Sequence, residues 1–244
     1  MSKRKVIDKE FERALPDVYT IIPEACTKCG DCVPVCPTGA IDLEAESRTD
    51  EQDFGAVFLA TGVDPIDLSR CPEYASSHPN VVTGIEFERL LEQGLERPSD
   101  GEEPERVVFV QCAGSRAGPD KQGQGVSYCS RTCCSVTAKQ VDRLLASNPV
   151  VEPPVVYYRD MRTYERALEA LYQNLRNVGV PFVNGEVSAI EGDPNGSLKL
   201  SVDPFPGEDD EKEAEPAELD ANLVVLATAQ VPSHGSDELY RMFG

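Results

Sequence analysis

The chain has 244 residues, with 23 Lys and Arg against 43 Asp and Glu, for a formal net charge of −20. That balance argues against unaided binding to nucleic acid or an anionic membrane, since both need a cationic surface. The 40% hydrophobic and 27% charged content excludes a disordered chain. Nine cysteines, an odd number in a chain long enough to bury a core without covalent staples, do not fit a purely disulfide framework and put metal first.

The N-terminal MSKRKVIDKEFER carries basic residues but no apolar stretch of the kind an export signal needs. No apolar run approaches the ~18 residues that span a bilayer. A cytoplasmic, soluble globular protein without direct membrane insertion is the expectation, with one large domain or two small ones.

In chain order, Lys5–Ile7 and Val18–Ile22 read as short extended stretches, followed by a cysteine loop over residues 25–43. The apolar run Phe54–Ala60, closed by Thr61-Gly62, suits a buried strand. Thr83 and Glu86 have capping-box spacing, which predicts a helix from about Ile85 to Gly94. The polar, proline-bearing stretch 96–105 is the linker candidate.

Beyond it come a strand at Val107–Gln111, a long Gly/Cys loop from Cys112 to Cys134, and a helix with Ala138, Val141 and Leu145 on its apolar face. A strand at Pro154–Tyr158 precedes a helix over Thr163–Gly179 that presents Leu168, Leu171, Leu175 and Val178. Pro181–Val183 is a third strand, and Val187–Ile190 with Leu198–Val202 form a hairpin around DPNG. The acidic segment 203–220 reads as a solvated loop, and Leu223–Ala227 as the last strand. Strands alternating with helices imply an α/β domain built on a parallel sheet, of the nucleotide-binding kind.

Cys26, Cys29, Cys32 and Cys36 follow C-x2-C-x2-C-x3-C, with Pro37 next. This is the bacterial ferredoxin run that holds a [4Fe–4S] cluster. Closely spaced thiolates wrap one face of the cubane, Gly30 permits the tight approach and Pro37 stops helical continuation. Zinc sites pair separated C-x2-C arms and fit four cysteines in eleven residues poorly.

Cys112, Cys129, Cys133 and Cys134 match no common pattern, but Cys112 ends a strand and Cys133-Cys134 open the next helix. A dinucleotide-binding domain would carry G-x-G-x-x-G in that loop. Gly123-Gln124-Gly125 is not that fingerprint, because it sits mid-loop with no helix directly after it. A helix N-terminus suits an anionic cluster as well as a phosphate. Three readings stay open on spacing alone: a second [4Fe–4S] cluster, a redox disulfide from Cys129 to Cys133 or Cys134, or inert buried thiols. Asp160 reads as a surface acid, His78 and His234 as surface residues, Tyr128 as a packing residue and Cys71 as a spare thiol outside both sets. Lys139 and Arg116 flank the second set and read equally as residues that tune it or contact a flavin and as plain helix-surface and loop residues.

VVFVQCAGSRAG, SYCSRTCC and AKQ resemble the signature of the heterodisulfide reductase A-subunit family, iron–sulfur flavoproteins of the thioredoxin-reductase fold. ACTKCGDCVPVCPTGAIDL, FGAVFLATGVDP, NVVTGIEFERLL and the stretch from RDMRTYERALEAL to LVVLATAQVPS follow in the family's order, over roughly residues 4–233. The resemblance implies a thioredoxin-reductase-type α/β domain with a ferredoxin-like [4Fe–4S] insert and a remnant of a flavin domain. It implies boundaries of 1–95 for the cluster segment with the flavin-domain remnant, 96–105 for the linker, 106–233 for the Rossmann-like domain and 234–244 for a tail. It also implies that Cys112, Cys129, Cys133 and Cys134 ligate a second, non-standard cluster.

The family carries an upstream FAD-binding half and, in many members, further ferredoxin modules, neither of which this sequence contains. Its second A-T-G motif reads Ala227-Thr228-Ala229. FAD is therefore expected only with a partner chain, with Thr61, Gly62 and Lys139 as its contacts here. The implied protein is an oxidoreductase subunit with no substrate site or catalytic residue of its own. It would relay single electrons between the other, flavin-bearing or heterodisulfide-reductase-like subunits of a complex. The alternatives are a flavin- or NAD(P)H-dependent reductase completed by a partner, and a metal-poor structural subunit. Two clusters at about −2 each take the holoprotein to about −24, which calls for a cationic docking face on the partner.

Overall fold

A computed structural model describes residues 5–9, 17–46, 48–119, 123–147, 152–193, 196–205 and 217–243. The chain divides into two compact units at Ala60/Thr61. The division does not fall in the 96–105 stretch. That stretch lies inside the second unit as a turn, where Gly101 N–H donates to the Arg97 carbonyl and Ser99 N–H to Asn80 Oδ1.

In the first unit, β1 (Ile7–Asp8) and β2 (Thr20–Ile21) pair antiparallel with Ile7 opposite Ile21. A single 3-10 turn, Pro23–Ala25, and the one-turn helix α1 (Cys32–Val35) frame the first cysteine loop. Phe54–Ala60, expected as a buried strand, is neither a strand nor buried, and Phe58 is 93% exposed. A strand exists only where a neighbour takes its N–H and C=O groups, and among the described residues none lies beside this run.

The second unit begins with β3 (Val63–Pro65) and two 3-10 turns, Leu68–Arg70 and Pro72–Tyr74. Then come β4 (Val81–Thr83), α2 (Gly84–Gln93), β5 (Val107–Ala113), α3 (Cys133–Ser147), β6 (Val155–Tyr158) and α4 (Arg166–Asn177). The chain closes with β7 (Phe182–Gly192), β8 (Leu198–Pro204), β9 (Ala217–Ala221), β10 (Leu223–Thr228), β11 (Gln230–Pro232) and α5 (Ser236–Phe243). Residues 234–244, read from sequence as a tail, thus hold a helix. Most of the acidic connection 203–220 falls outside the described residues, yet its end forms β9, antiparallel to β8.

Seven strands form one sheet in the order β4-β10-β5-β6-β7-β8-β9. The first four pairings are parallel and the last two antiparallel. The α/β class with a parallel sheet is therefore as expected. Strand β5 is apolar on both faces because both are covered, as buried parallel strands require. Val107 and Phe109 join the core under the helices with Ala138, Val141, Leu144 and Leu175. Val108 and Val110 join Tyr74, Val187, Leu198, Leu200 and Leu226 on the other face.

Helix α2 starts on a complete capping box, with Thr83 Oγ1 accepting from Glu86 N–H and Glu86 Oε2 accepting from Thr83 N–H. It ends at Gly94, whose φ of 105° lets the chain turn off the last carbonyls. Thr83→Ala is expected to lower stability by about 1 kcal/mol, read as a lower unfolding midpoint with an unchanged denaturant slope. Helix α4 is shorter than its sequence pattern, because Gly179 with φ 94° carries the chain away after Asn177. Val178 therefore stands 70% exposed and not on the buried face with Leu175.

Candidate iron–sulfur centres

The first cysteine set lies on a loop of tight turns. Lys28, Gly30 and Gly39 all take left-handed backbone conformations, with φ of 57°, 83° and 63°. Cys36 Sγ accepts a hydrogen bond from Ala40 N–H at 3.3 Å and lies 3.6 Å from Thr38 Oγ1. The Thr38 hydroxyl first, and the Ala40 N–H after it, draw the Cys36 thiol down to about 7. Thiolate-favouring N–H···S contacts of this kind are what a ferredoxin cluster needs from its loop.

The second set is assembled by β5, the loop after it, and the start of α3. Cys112 sits within β5 at φ 62°, and Arg116 and Arg131 in the same loop are also left-handed, at 58° and 66°. Three such residues without glycine in one loop mark backbone held against its own preference by surrounding contacts. Cys129 Sγ accepts from Arg131 N–H at 3.3 Å, and the Cys133 thiol points at the Thr228 carbonyl at 3.6 Å. Cys134 Sγ lies 3.9 Å from the Asp160 carbonyl.

The four thiols are electrostatic neighbours. Burial holds the Cys112, Cys133 and Cys134 thiols above their ordinary value. For Cys133, burial and then the charges of Cys112, Cys134 and Cys129 push it up to about 11. An apolar, mutually repelling thiol group is a poor home for free thiolates and a fitting one for metal, whose charge reverses that balance. Gln111 precedes Cys112 on β5. It is 7% exposed, with neither side-chain amide atom hydrogen-bonded among the described residues. A buried amide left bare costs about 1–3 kcal/mol for each unsatisfied group. The four-thiol donor sets fit iron–sulfur ligation.

Among the described residues, no three His, Cys, Asp or Glu side chains converge as ligands of a single metal ion. Ligands of a four-iron cubane stand further apart, because each thiolate binds a different iron.

A dinucleotide fits the loop poorly. Gly125 folds back on Gly114, where a Cβ would meet the Gly114 carbonyl oxygen at 2.6 Å. Backbone from the middle of the loop thus packs on its start, and the loop lacks the G-x-G-x-x-G run of a fingerprint. The guanidinium of Arg70 grips the same turn through the Gly123 carbonyl. Cys71, expected as a spare thiol, is buried and donates to the Gln124 carbonyl at 2.7 Å. It lies outside both sets and clamps the loop of the second.

Other expectations change at this site. Asp160 is no plain surface acid, since its carboxylate pairs with both Arg116 and Arg162. The Tyr128 ring is 47% exposed and its hydroxyl donates to the Gln230 carbonyl, so it ties the loop to β11 instead of packing. His78 is half-buried, with Nδ1 accepting from Asn80 N–H and Nε2 facing the Asp193 carbonyl. His234 is exposed as expected.

A cleft of about 150 Å³ opens beside Cys133, bounded by Val63, Pro65, Ile85, Val136, Ala227 and Thr228. Gly62 adjoins it in sequence, Thr61 Oγ1 is 2.9 Å from Ser236 Oγ, and Lys139 is exposed on α3. Ala229, where the second A-T-G motif departs from glycine, is fully buried, and its N–H donates to the Ala113 carbonyl.

The 4Fe-4S binding domain family matches residues 19–42, so the first cysteine set lies in a [4Fe–4S] binding segment. The A subunit of the H(2):CoB-CoM heterodisulfide,ferredoxin reductase of Methanothermobacter thermautotrophicus is 33% identical over 98% of this chain and 36% of its own length. The iron–sulfur A subunit of the CoB–CoM heterodisulfide reductase of Methanocaldococcus jannaschii is 33% identical over 100% and 37%. The corresponding A 1 subunit of Methanopyrus kandleri is 36% identical over 93% and 34%. The chain thus spans about a third of the length of these relatives. Among solved structures, an ornithine N-hydroxylase of Kutzneria sp. 744 aligns over 72% of this chain and 46% of its own, at 13% identity and a TM-score of 0.42. That is a likeness of outline alone.

Proposed function

We propose, from the premise that this chain is a member of the heterodisulfide reductase A-subunit family, that it relays single electrons through two [4Fe–4S] clusters within a heterodisulfide-reductase-like oxidoreductase complex. Cys26, Cys29, Cys32 and Cys36 hold the first cluster, and Cys112, Cys129, Cys133 and Cys134 the second. The observation that carries the second centre is the gathering of four buried or half-buried thiols at a strand-to-helix loop folded back on its own start. The clusters supply one-electron chemistry when bound. The chain's own residues supply thiolates and N–H···S contacts and, at the second set, partly buried surroundings.

The partner is a flavin-bearing subunit of the same complex, met through a basic face that complements the acidic chain. The site of action is the cytoplasm. Among the described residues no helix is long and apolar enough to cross a membrane.

The cleft beside Cys133 favours one second reading, a flavin reductase completed by a partner chain. Its largely apolar walls suit a planar ring, with Thr61, Gly62 and Lys139 as contacts from this side. Anaerobic reconstitution of the full chain counts its clusters, and the flavin content of the complex formed with its partner subunit, compared between the unaltered chain and Lys139→Ala, tests the second reading. The relay predicts about eight irons and as many acid-labile sulfides per chain, with broad visible absorption and no structured flavin bands. Stoichiometric flavin carried by this chain would replace it with the second reading, and about four irons would remove the second cluster.

A further inference from the structure

Three charged side chains beside the second cysteine set form one bonded unit. Asp160 follows β6. One of its carboxylate oxygens pairs with Arg116 Nη1, and the other accepts from Arg162 Nε at 3.0 Å and pairs with Nη2 at 2.9 Å. Both guanidiniums are held by the one carboxylate, whose own residue touches a ligand of the proposed cluster. Arg116 lies on the loop that Cys112 opens, and Cys134 Sγ lies 3.9 Å from the carbonyl of Asp160 itself, two residues before Arg162. A fourth residue fixes the frame. Arg159 Nη1 donates to the Arg116 carbonyl at 3.1 Å, while its other end pairs with Glu186 on β7 at 2.6 Å.

The three side chains are only partly exposed, between 25% and 45%. In that setting an ion pair is screened less than at an open surface. Plain surface stabilisation explains poorly why one carboxylate should be shared by two guanidiniums at a residue whose carbonyl meets a cysteine of the set.

We propose that Asp160 is a positioning residue that holds Arg116 and Arg162 against the second cluster, and that the net single positive charge of this triad sets the cluster's reduction potential. This role rests on the assignment of Cys112, Cys129, Cys133 and Cys134 as ligands. Reduction adds one electron to the cluster and forms or breaks no bond. With four thiolates the charge passes from −2 to −3, so each nearby positive charge favours the reduced state and each negative charge opposes it. The potential therefore follows the charge of the triad. Asp160→Asn raises that charge by one, and Arg116→Gln or Arg162→Gln lowers it by one.

The experiment is a dithionite titration of the reconstituted full chain, followed by electron paramagnetic resonance. Asp160→Asn is expected to move the midpoint of the second signal to more positive potential, and each arginine variant to more negative potential. The ferredoxin-type signal stays where it is in all three. If Asp160→Asn does not keep its second cluster, the opposite sign expected of the arginine variants still decides. Unmoved midpoints, or acidic and basic variants moving in the same direction, overturn the tuning role. Loss of the second signal from all three variants overturns it too, and leaves the triad a loop fastener. Absence of a second signal from the unaltered protein is a different failure, that of the two-cluster assignment, and the iron count detects it without any variant.

Discussion

Replacing Cys133 with alanine is expected to abolish one of two paramagnetic signals and take the iron content from about eight to about four per chain. Cys133 begins α3 and lies among Cys112, Cys129 and Cys134, so its loss opens the ligand set from within. The first set belongs to the other compact unit and keeps its own four thiols, so the ferredoxin-type signal should survive unchanged. The fold should survive as well, because Cys133 is only half-buried, unlike the core residues Ala138, Val141 and Leu144 of the same helix. Two intact signals in the variant would remove Cys133 from the ligands. The alternative of a redox disulfide makes a different forecast, a change in thiol titre with no change in iron.

The largest expected loss of stability comes from truncating Phe109 to alanine. Phe109 is fully buried at the middle of β5, and its ring meets that of Phe87 edge to face with centroids 5.2 Å apart. It lies opposite Val225 on one neighbouring strand and Val156 on the other. Parallel strands and α2 fix its surroundings, so the space cannot collapse, and the cost should be about 3–5 kcal/mol. Against a typical net stability of about 5–15 kcal/mol, that is a large share. Urea unfolding followed by circular dichroism is the measurement, and a loss below about 1 kcal/mol would show that this core repacks freely. The Phe87→Ala and double variants add a coupling of about 0.5–1.5 kcal/mol if the ring pair itself matters.

Much of the second unit was legible from local pattern. The β5 run, the Thr83–Glu86 capping box and the two strands flanking DPNG each express a period or a turn rule over a short stretch, and each forms where expected, while residues 194 and 195 of the turn lie outside the described residues. The Phe54–Ala60 run shows the limit of such rules, because apolar residues in sequence do not state which strand will pair with them. The same limit applies at the site. Cysteine spacing drew attention to both sets, but the partners that hold the second loop come from distant segments. Arg70 and Cys71 grip Gly123 and Gln124 across 53 positions, and Asp160 meets Arg116 across 44. One signal was available in advance. Arg159, Asp160 and Arg162 cluster directly after β6, and a charged group at the end of a central strand in an α/β sheet faces the ligand side. Gln111 had no such signal, since a glutamine in a strand shows its lack of partners only once the strand is packed.

The open run at Phe54–Ala60 has a consequence for handling the chain. Residues 55–60 carry no charge and no proline, and the flanking Phe54 stands 72% exposed. Such an uncharged, apolar stretch favours self-association between copies. Concentrated alone, the chain should aggregate through this segment before its core gives way. A single lysine at Phe58 would act as a gatekeeper there, suppressing that association without touching either cysteine set.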